Sequence, residues 1–379
     1  MSRHALRPAT LADVERVAAL LREVAFKPRS EAGWRWLFQE NPAVRRRDPP
    51  PEMGWVLDRD GAIDGYVGNV HLDYVLDGKP LRVATDNSYY VRSDARGEST
   101  RLMSTFFRQP GVDLFLNTTA NHASSAVYLL FKALAPEDAS LSEGLIWIAD
   151  DRIAVRDALA KCGMGKPLGG GLAGLAAPLS TVARAIAGFA KPPRDRASGS
   201  VEKLLPSELD SRFDSLWERI AAAPGLKVRR DAATLRWYFS DPDVGGNPTI
   251  FATGDAEGLE GYAAVAQHCP PGTVTTQLRI LDFVLRPGAE HAGLTLLTRV
   301  LVHAREVKAG LVYCPPIGSA LSAELKLLRP YVLRHKRTSH LLRAVRSVKT
   351  ADLVRPGVWQ ATALDGDTPF CIESVAPLA

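Results

Sequence analysis

Long uncharged apolar runs are missing from this 379-residue sequence, and cysteine is sparse, with 4 residues. The most apolar stretch, Leu168 to Ala190, contains Pro178 and carries Arg184 near its centre. A spanning helix there would bury a charge in lipid and break at the proline, so no stable membrane insertion is expected. A packed linker helix is the expectation, and its modest amphipathicity leaves a membrane-surface helix as the alternative. Cys162, Cys269, Cys314 and Cys371 stand far apart, without the paired spacings of a zinc site or a disulfide framework. Reduced thiols, a cytoplasmic location and no metal site are expected. The first residues include Arg3, His4 and Arg7 but no continuous apolar run, so no secretory signal is expected. Charge of one sign is also lacking. Lys+Arg number 47 against 42 Asp+Glu, and the net charge of +5 is too mild to imply nucleic acid, although it favours an anionic substrate or cofactor. There is no Gly-x-x-x-x-Gly-Lys phosphate loop, no His-Glu-x-x-His and no Gly-x-Ser-x-Gly elbow. Gly163-Met-Gly165 mimics part of a dinucleotide fingerprint, but no strand leads into it.

What is present describes a globular chain, 46% hydrophobic and 23% charged. At about 150 residues per domain, its length favours two domains. The glycine-rich Gly163 to Gly171 and the polar Lys191 to Ser200 flank the apolar stretch, which places a first domain over 1–160, a linker over 161–200 and a second domain over 201–379. The two halves share a pattern. Ala32-Gly-Trp-Arg-Trp-Leu-Phe38 matches Ala233-Thr-Leu-Arg-Trp-Tyr-Phe239 at a shift of 201, and Asn41-Pro42 and Asp241-Pro242 follow. Gly65-Tyr66 and Gly261-Tyr262 open similar strands, and Leu81-Arg-Val83 resembles Leu278-Arg-Ile280. Three matches in one order point to duplication.

Each half reads as mixed α and β. Thr10 with Asp13 resembles a capping box, and Val14, Val17, Leu21 and Val24 recur at helical spacing. Trp55 to Leu57, Gly65 to Val75 and Leu81 to Val91 are rich in β-branched and aromatic residues, and Asp60-Gly61 and Asp77-Gly78 between them are hairpin signals. A helix from about Ser99 to Arg108, a strand from Asp113 to Leu116 and a helix around Ser124 to Leu134 complete an order αβββαβα.

Two segments could carry chemistry. Arg92-Ser-Asp-Ala-Arg96-Gly97-Glu98-Ser99-Thr100-Arg101 lies between a strand and a helix, where free N–H groups and the helix dipole attract anions. Gly97 would let a pyrophosphate approach, and Arg96 and Arg101 could neutralise it; an ordinary solvated turn is the alternative. Asn121-His-Ala-Ser124-Ser-Ala-Val-Tyr128 follows the next strand. Taken singly, Asn121 reads equally as a helix N-cap and Tyr128 equally as a core residue.

With strand, phosphate-type turn, helix, strand and Asn-x-x-Ser-x-x-x-Tyr in that order, the sequence resembles the GNAT superfamily of acyl-CoA N-acyltransferases. There the turn has the form Arg/Gln-x-x-Gly-x-Gly/Ala and the later helix carries Asn-x-x-Ala-x-x-x-Tyr. The resemblance covers most of residues 1 to 150, including Leu6-Arg7-Pro8-Ala9-Thr10-x-x-Asp13. Ser99 stands where the family has glycine, Arg101 where it has a small residue, and Lys132-Ala133 where it has Gly-Phe.

The resemblance implies an α/β protein with mixed sheets, built as two tandem GNAT-like domains, and an N-acyltransferase, by expectation an acetyltransferase, using acetyl-CoA or another acyl-CoA as co-substrate. Backbone groups of Tyr89, Tyr90 and Val91 would pair with pantetheine. The N–H groups of Gly97, Glu98, Ser99, Thr100 and Arg101, with Arg96, would hold the pyrophosphate, and Asn121 and Ser124 would complete the cofactor site. Tyr128 matches the proton donor, an N–H near Val91 would polarise the carbonyl, and Asp86 is the candidate base, with Asp73 or His71 in reserve. The acceptor would be a small-molecule amine, with anionic or nucleotide-linked acceptors included.

The second half repeats the architecture without the signature. Ile280 to Leu285, Arg286 to Gly293, Leu294 to Ala304 and Leu311 to Cys314 read as strand, turn, helix and strand. The counterparts of Asn121 and Tyr128 fall near Ile317 and Glu324, so this half is expected to have lost CoA binding. Trp359 to Asp367 resembles a closing strand and acidic turn of tandem GNAT-like proteins. Arg334, His335, Lys336, Arg337, His340, Arg343, Arg346 and Lys349 form a basic cluster, read as a solvated helix face with an acceptor-binding role as the alternative. Two further functions stay open: a binding or scaffold protein whose turn no longer holds CoA, and a tRNA-dependent aminoacyl transferase of the related tandem fold.

Overall fold

The computed structural model describes residues 4–24, 26–150, 153, 200–244, 248–269, 276–335, 340–345 and 348–370. Its strands in chain order are β1 Ala5–Pro8, β2 Gly54–Arg59, β3 Ala62–Leu76, β4 Lys79–Val91, β5 Leu114–Asn117, β6 Glu143–Ile148 and β7 Val201–Leu204. They continue as β8 Leu226–Val228, β9 Thr249–Asp255, β10 Gly258–His268, β11 Gln277–Leu285, β12 Leu311–Cys314, β13 Tyr331–Arg334 and β14 Leu341–Ala344. The helices are α1 Val14–Arg22, α2 Glu31–Phe38, α3 Pro42–Arg45, α4 Ser99–Arg108, α5 His122–Leu130, α6 Ser211–Ala222, α7 Ala232–Tyr238, α8 Glu290–Glu306, α9 Ser319–Lys326 and α10 Thr350–Leu353. The expected linker up to residue 199, its apolar stretch, the Gly163-Met-Gly165 segment, Cys162 and Cys371 lie outside the described residues.

Two compact units result, one drawn from Met1–Ala139, Ala221–Gly245 and Arg337–Ser374, the other from Ser140–Ile220 and Gly246–Lys336. The first holds a sheet in the order β1-β2-β3-β4-β5-β14, with β8 beside β3; the second holds β13-β6-β12-β11-β10-β9-β7. Both sheets are mixed: β4 and β5 run parallel in one, β11 and β12 in the other. Strand exchange interleaves the units along the chain. β6 pairs with β12 and β13, while β8 and β14 join β3 and β5. Such long-range pairing leaves no local trace in a sequence, and the division into 1–160 and 201–379 does not anticipate it.

Local chemistry explains the elements that were foreseen. Asp13 Oδ2 accepts from the Thr10 amide at 2.9 Å and its hydroxyl at 3.0 Å, and α1 then buries Val14, Val17 and Leu21. At both hairpins the two turn residues have positive φ, 54° and 88° at Asp60-Gly61 and 51° and 77° at Asp77-Gly78. That is the combination a two-residue turn between twisted strands requires. β1, α2 and α3 come in addition to the expected order. They are short, and tertiary contacts rather than periodicity support them. In the first unit α4 lays Leu102, Met103, Phe106 and Phe107 on Leu57, Val67, Ala84 and Phe115 of the sheet.

The repeated Trp motifs meet within the first unit. Ser30 caps α2 by accepting from Gly33 N at 3.0 Å, and Asp231, 201 residues on, caps α7 by accepting from Thr234 N at 2.8 Å. Trp36 and Trp237 stack with centroids 4.9 Å apart, and each indole N–H donates to the other's backbone carbonyl at 2.9 Å. The two similar segments form a self-complementary pair.

Two expectations require correction. The closing segment is not a strand: Trp359 makes a single bridge with Leu226, and turns follow to Phe370. Nor does the basic cluster form a helix face. Arg334 and His335 sit in or beside β13 and His340 and Arg343 in or beside β14, in different sheets, while Lys349 stands at the start of α10. Arg334 pairs with Glu143, and Arg343 stacks over Phe107 and Phe115 at 5.0 and 5.7 Å. Lys336, Arg337 and Arg346 lie outside the described residues. Tyr331-Val-Leu333 and Leu341-Leu342, β-branched, aromatic and aliphatic residues beside the basic ones, suit short strands, and sheet pairing decided it.

Candidate active site

β4 follows β3 along its length but pairs with β5 only through Val83, Ala84 and Thr85, opposite Leu114, Phe115 and Leu116. Beyond that point the strands part. Asp86 to Val91 have no strand on the β5 side among the described residues, so their outward N–H and C=O groups form an open edge. A bulge accompanies the opening. Tyr66 opposes Tyr90 and Gly68 opposes Asn87, which leaves Ser88 and Tyr89 against one residue of β3, and Ser88 takes φ 58°. β3 needs glycine here, since a Cβ at Gly68 would lie 2.8 Å from the Asn87 carbonyl and the Tyr66 hydroxyl. Tyr89, Tyr90 and Val91, expected to pair with pantetheine, lie on this open edge.

At the closed end of the opening lie Asp86, Asn117 and Tyr128, all buried. The Tyr128 hydroxyl donates to Asp86 Oδ1, and Asn117 Nδ2 donates to the same oxygen at 2.8 Å. Phe107 fixes the phenol ring edge-on at 5.0 Å. The candidate donor and base thus form one hydrogen-bonded pair, with the phenol turned inward and 0% exposed. Burial and the nearby Asp367 carboxylate push Asp86 up to about 7, against the hydrogen bonds of Tyr128 and Asn117. Burial, with the Asp86 charge beside it, raises Tyr128 as well. The reserve bases are otherwise engaged. Asp73 is paired with Arg46 at 2.8 Å and Arg47 at 3.3 Å. His71 is buried against Asn69 and Gln109, and burial first, then the Arg47 charge, pushes it down to about 3.

At the far end of the open edge, Ser93–Glu98 forms a 3-10 turn that runs into α4. Arg96, Gly97 and Thr100 are exposed, and a Cβ added at Gly97 meets nothing within 4 Å. Packing does not demand glycine there, and space for a close-lying ligand remains. The Ser99 hydroxyl donates to the Arg96 carbonyl at 2.7 Å. Arg101 is held on the β1 side of α4, where its guanidinium donates to Glu98 at 3.0 Å and to the His4 carbonyl at 3.2 Å. It lines a hollow of about 570 Å³ with Leu6, Trp55, Ser104, Thr105 and Arg108. Asn121 and Ser124 form a reciprocal cap at the start of α5: Ser124 N donates to Asn121 Oδ1 and Asn121 N to Ser124 Oγ, each at 3.0 Å. The spacing that marked these two residues is accounted for by helix initiation.

Sequence reasoning missed Asn117 and did not connect Asp367 with Asp86. Asn117 ends the otherwise apolar strand β5, a position where a buried amide signals a polar neighbour. Asp367 accepts from Thr118 N at 2.6 Å, from Thr118 Oγ1 at 3.0 Å and from Thr119 Oγ1.

The second unit opens in the same way but is lined differently. β11 pairs with β12 through Arg279, opposite Tyr313, and carries its own bulge at Leu281. Ile280 takes the position of Asp86 and Cys314 that of Asn117, and both are buried. Burial pushes the Cys314 thiol up to about 12. This register corrects the third sequence match, because Val83 corresponds to Gln277 and not to Ile280. A short apolar-basic-apolar triplet fits several strand registers. At the turn, Arg286 is drawn onto Asp255 and Glu257 at 3.0 and 3.1 Å.

Neither a protein-family model nor a curated protein matches the chain. Solved structures do. A GCN5-related N-acetyltransferase from Anabaena variabilis matches with TM-score 0.56 and 15% identity, covering 90% of this chain and 73% of that one. One from Kribbella flavida matches with TM-score 0.55 and 12% identity, covering 90% and 71%. A conserved Enterococcus faecalis protein of unknown function, described as a probable N-acyltransferase, matches with TM-score 0.57 and 11% identity, covering 91% and 73%. At these identities the likeness establishes the fold: mixed α/β, GNAT-like in both units. Among the described residues no helix is long and apolar enough to cross a membrane.

Proposed function

We propose that the first unit binds an acyl-CoA along the open edge of β4 and transfers its acyl group to an amine. The parting of β4 from β5 at Asp86 carries this reading, because it leaves extended backbone groups and a polar closed end beside each other. Amides of Tyr89 to Val91 would pair with the pantetheine chain, and the turn at Gly97 would face the pyrophosphate. A neutral amine attacks the thioester carbonyl, whose oxygen an N–H near Val91 stabilises as the C–N bond forms. Tyr128 gives its proton to the departing sulfur as the C–S bond breaks, and Asp86 restores that proton and recovers one from the amine through water. Acetyl is the expected acyl group, and a small, anionic or nucleotide-linked amine the expected acceptor.

A second reading draws on two observations. The Tyr128 phenol is wholly buried, and Arg101 is tied to Glu98 and the His4 carbonyl, as in a scaffold that no longer uses CoA. A thiol-release assay with acetyl-CoA and a panel of amines separates the readings. Catalysis predicts release that is slowed at least tenfold in Tyr128→Phe with acetyl-CoA affinity kept. Unchanged turnover in that variant removes Tyr128 from the chemistry, and no release with any amine favours the scaffold.

A further inference from the structure

Two buried carboxylates meet the end of β5 from opposite directions in sequence. Asp86 Oδ1 accepts from Asn117 Nδ2 at 2.8 Å, Asn117 Oδ1 accepts from Thr119 N at 3.0 Å, and Thr119 Oγ1 donates to Asp367 Oδ2. A continuous chain of hydrogen bonds therefore joins Asp86 and Tyr128 to a residue 281 positions further along. Asp367 is held firmly. Its Oδ1 accepts the Thr118 amide and hydroxyl, and the preceding Gly366 packs against Thr118, where a Cβ would come within 2.6 Å of the side chain, while its N–H donates to the Tyr74 hydroxyl at 3.0 Å. At Gly366 the chain has φ 59°, so glycine suits both the turn and the contact.

We infer that Asp367 is a positioning residue for the proposed acyl transfer: through Thr118, Thr119 and Asn117 it fixes the Asp86–Tyr128 pair, and it sets a second buried carboxyl beside Asp86. The inference rests on the acyl-transfer reading but has a readout of its own. The ionisable groups facing Asp86 are Tyr128 from α5, Tyr89 further along β4 and Asp367 from the C-terminal segment. Of these, Asp367 is the carboxylate whose repulsion disfavours ionisation of Asp86. Burial acts in the same direction and would remain in a variant at 367, so the effect of that variant isolates the charge.

The full-length protein carrying 13C-labelled aspartate is titrated by carbon NMR, with Asp86→Asn assigning the resonance. Asp367→Asn, which keeps an acceptor for the Thr118 amide, is expected to make Asp86 lose its proton at least tenfold more readily, a downward displacement of about one pH unit. Asp367→Glu, which keeps the charge, is expected to restore most of the difference. If an assay detects transfer, the acidic limb of its pH profile moves with the titration in Asp367→Asn. An Asp86 titration unmoved in that folded variant overturns the inference, whatever the assay shows. A moved titration without any transfer sustains the electrostatic role and removes the acyl-transfer reading. Should Asp367→Asn not fold, Asp367→Ser serves in its place: it also removes the charge and keeps an acceptor for the Thr118 amide, the Asp86 titration is expected to move in the same downward direction, and an unaltered titration overturns the inference.

Discussion

Each unit parts two parallel strands at a bulge, yet the lining at the closed end differs. In the first, Asp86, Asn117 and Tyr128 share one oxygen's hydrogen bonds, while in the second Ile280 and Cys314 occupy the matching strand positions. The opening is thus a property of backbone register, and the chemistry is added by side chains. A buried carboxyl is tolerated only where its donors are built around it.

This contrast can be attacked directly. Ile280→Asp places a carboxyl in the second unit without matched donors, so a loss of about 3–5 kcal/mol in urea unfolding at pH 8 is expected. A loss below about 1 kcal/mol would mean that the second opening is as receptive to charge as the first. Within the first unit, Trp36→Ala and Trp237→Ala should each cost about 3–5 kcal/mol and be strongly non-additive, because each removes half of one reciprocal stack. Additive effects in a double-mutant cycle would dissolve the self-complementary pair.

A smaller effect follows from protonation. Asp86 has a folded-state proton affinity above its unfolded value, so the folded state binds more protons between about 4 and 7. The Asp86 contribution to stability should therefore fall as pH rises through that window, by on the order of 1–3 kcal/mol between pH 5 and 8, against the opposite contribution of the buried His71 and His340, whose proton affinity is lowered. Asp86→Asn should remove this contribution, read as the difference in urea midpoints from the parent protein at each pH, whereas Cys314→Ser in the second unit should leave the pH slope unaltered. An equally steep slope in Asp86→Asn places the titrating group elsewhere. The smallest contrast lies in the turn glycines. Gly288 has φ 83°, so Gly288→Ala should cost about 1 kcal/mol, while Gly97→Ala, whose Cβ meets nothing, should change stability by less than about 0.5 kcal/mol. Equal losses in thermal unfolding would mean that the Gly97 turn is held as tightly as its counterpart.

The sequence revealed what short-range physics dictates. Asp60-Gly61 and Asp77-Gly78 announce their turns, Thr10 and Asp13 their cap, and the apolar spacing of Leu102, Met103, Phe106 and Phe107 the face of α4. Asp86 and Tyr128 could each be singled out, but their pairing spans 42 residues and depends on where β4 leaves β5. The same limit hid the role of Asp367 beside Thr118, the exchange of β6 and β14 between sheets, and the register that sets Ile280, not Asp282, against Asp86. Asn121 and Ser124 show the converse: a motif spacing that local helix capping accounts for by itself.

Calorimetric titration of the full-length protein with acetyl-CoA tests the central claim most directly. One site per chain is expected, with affinity lowered at least tenfold in Gly97→Asp and unchanged in Ile280→Val. Absence of heat, or binding that Gly97→Asp leaves intact, would contradict a cofactor site on the open edge of β4.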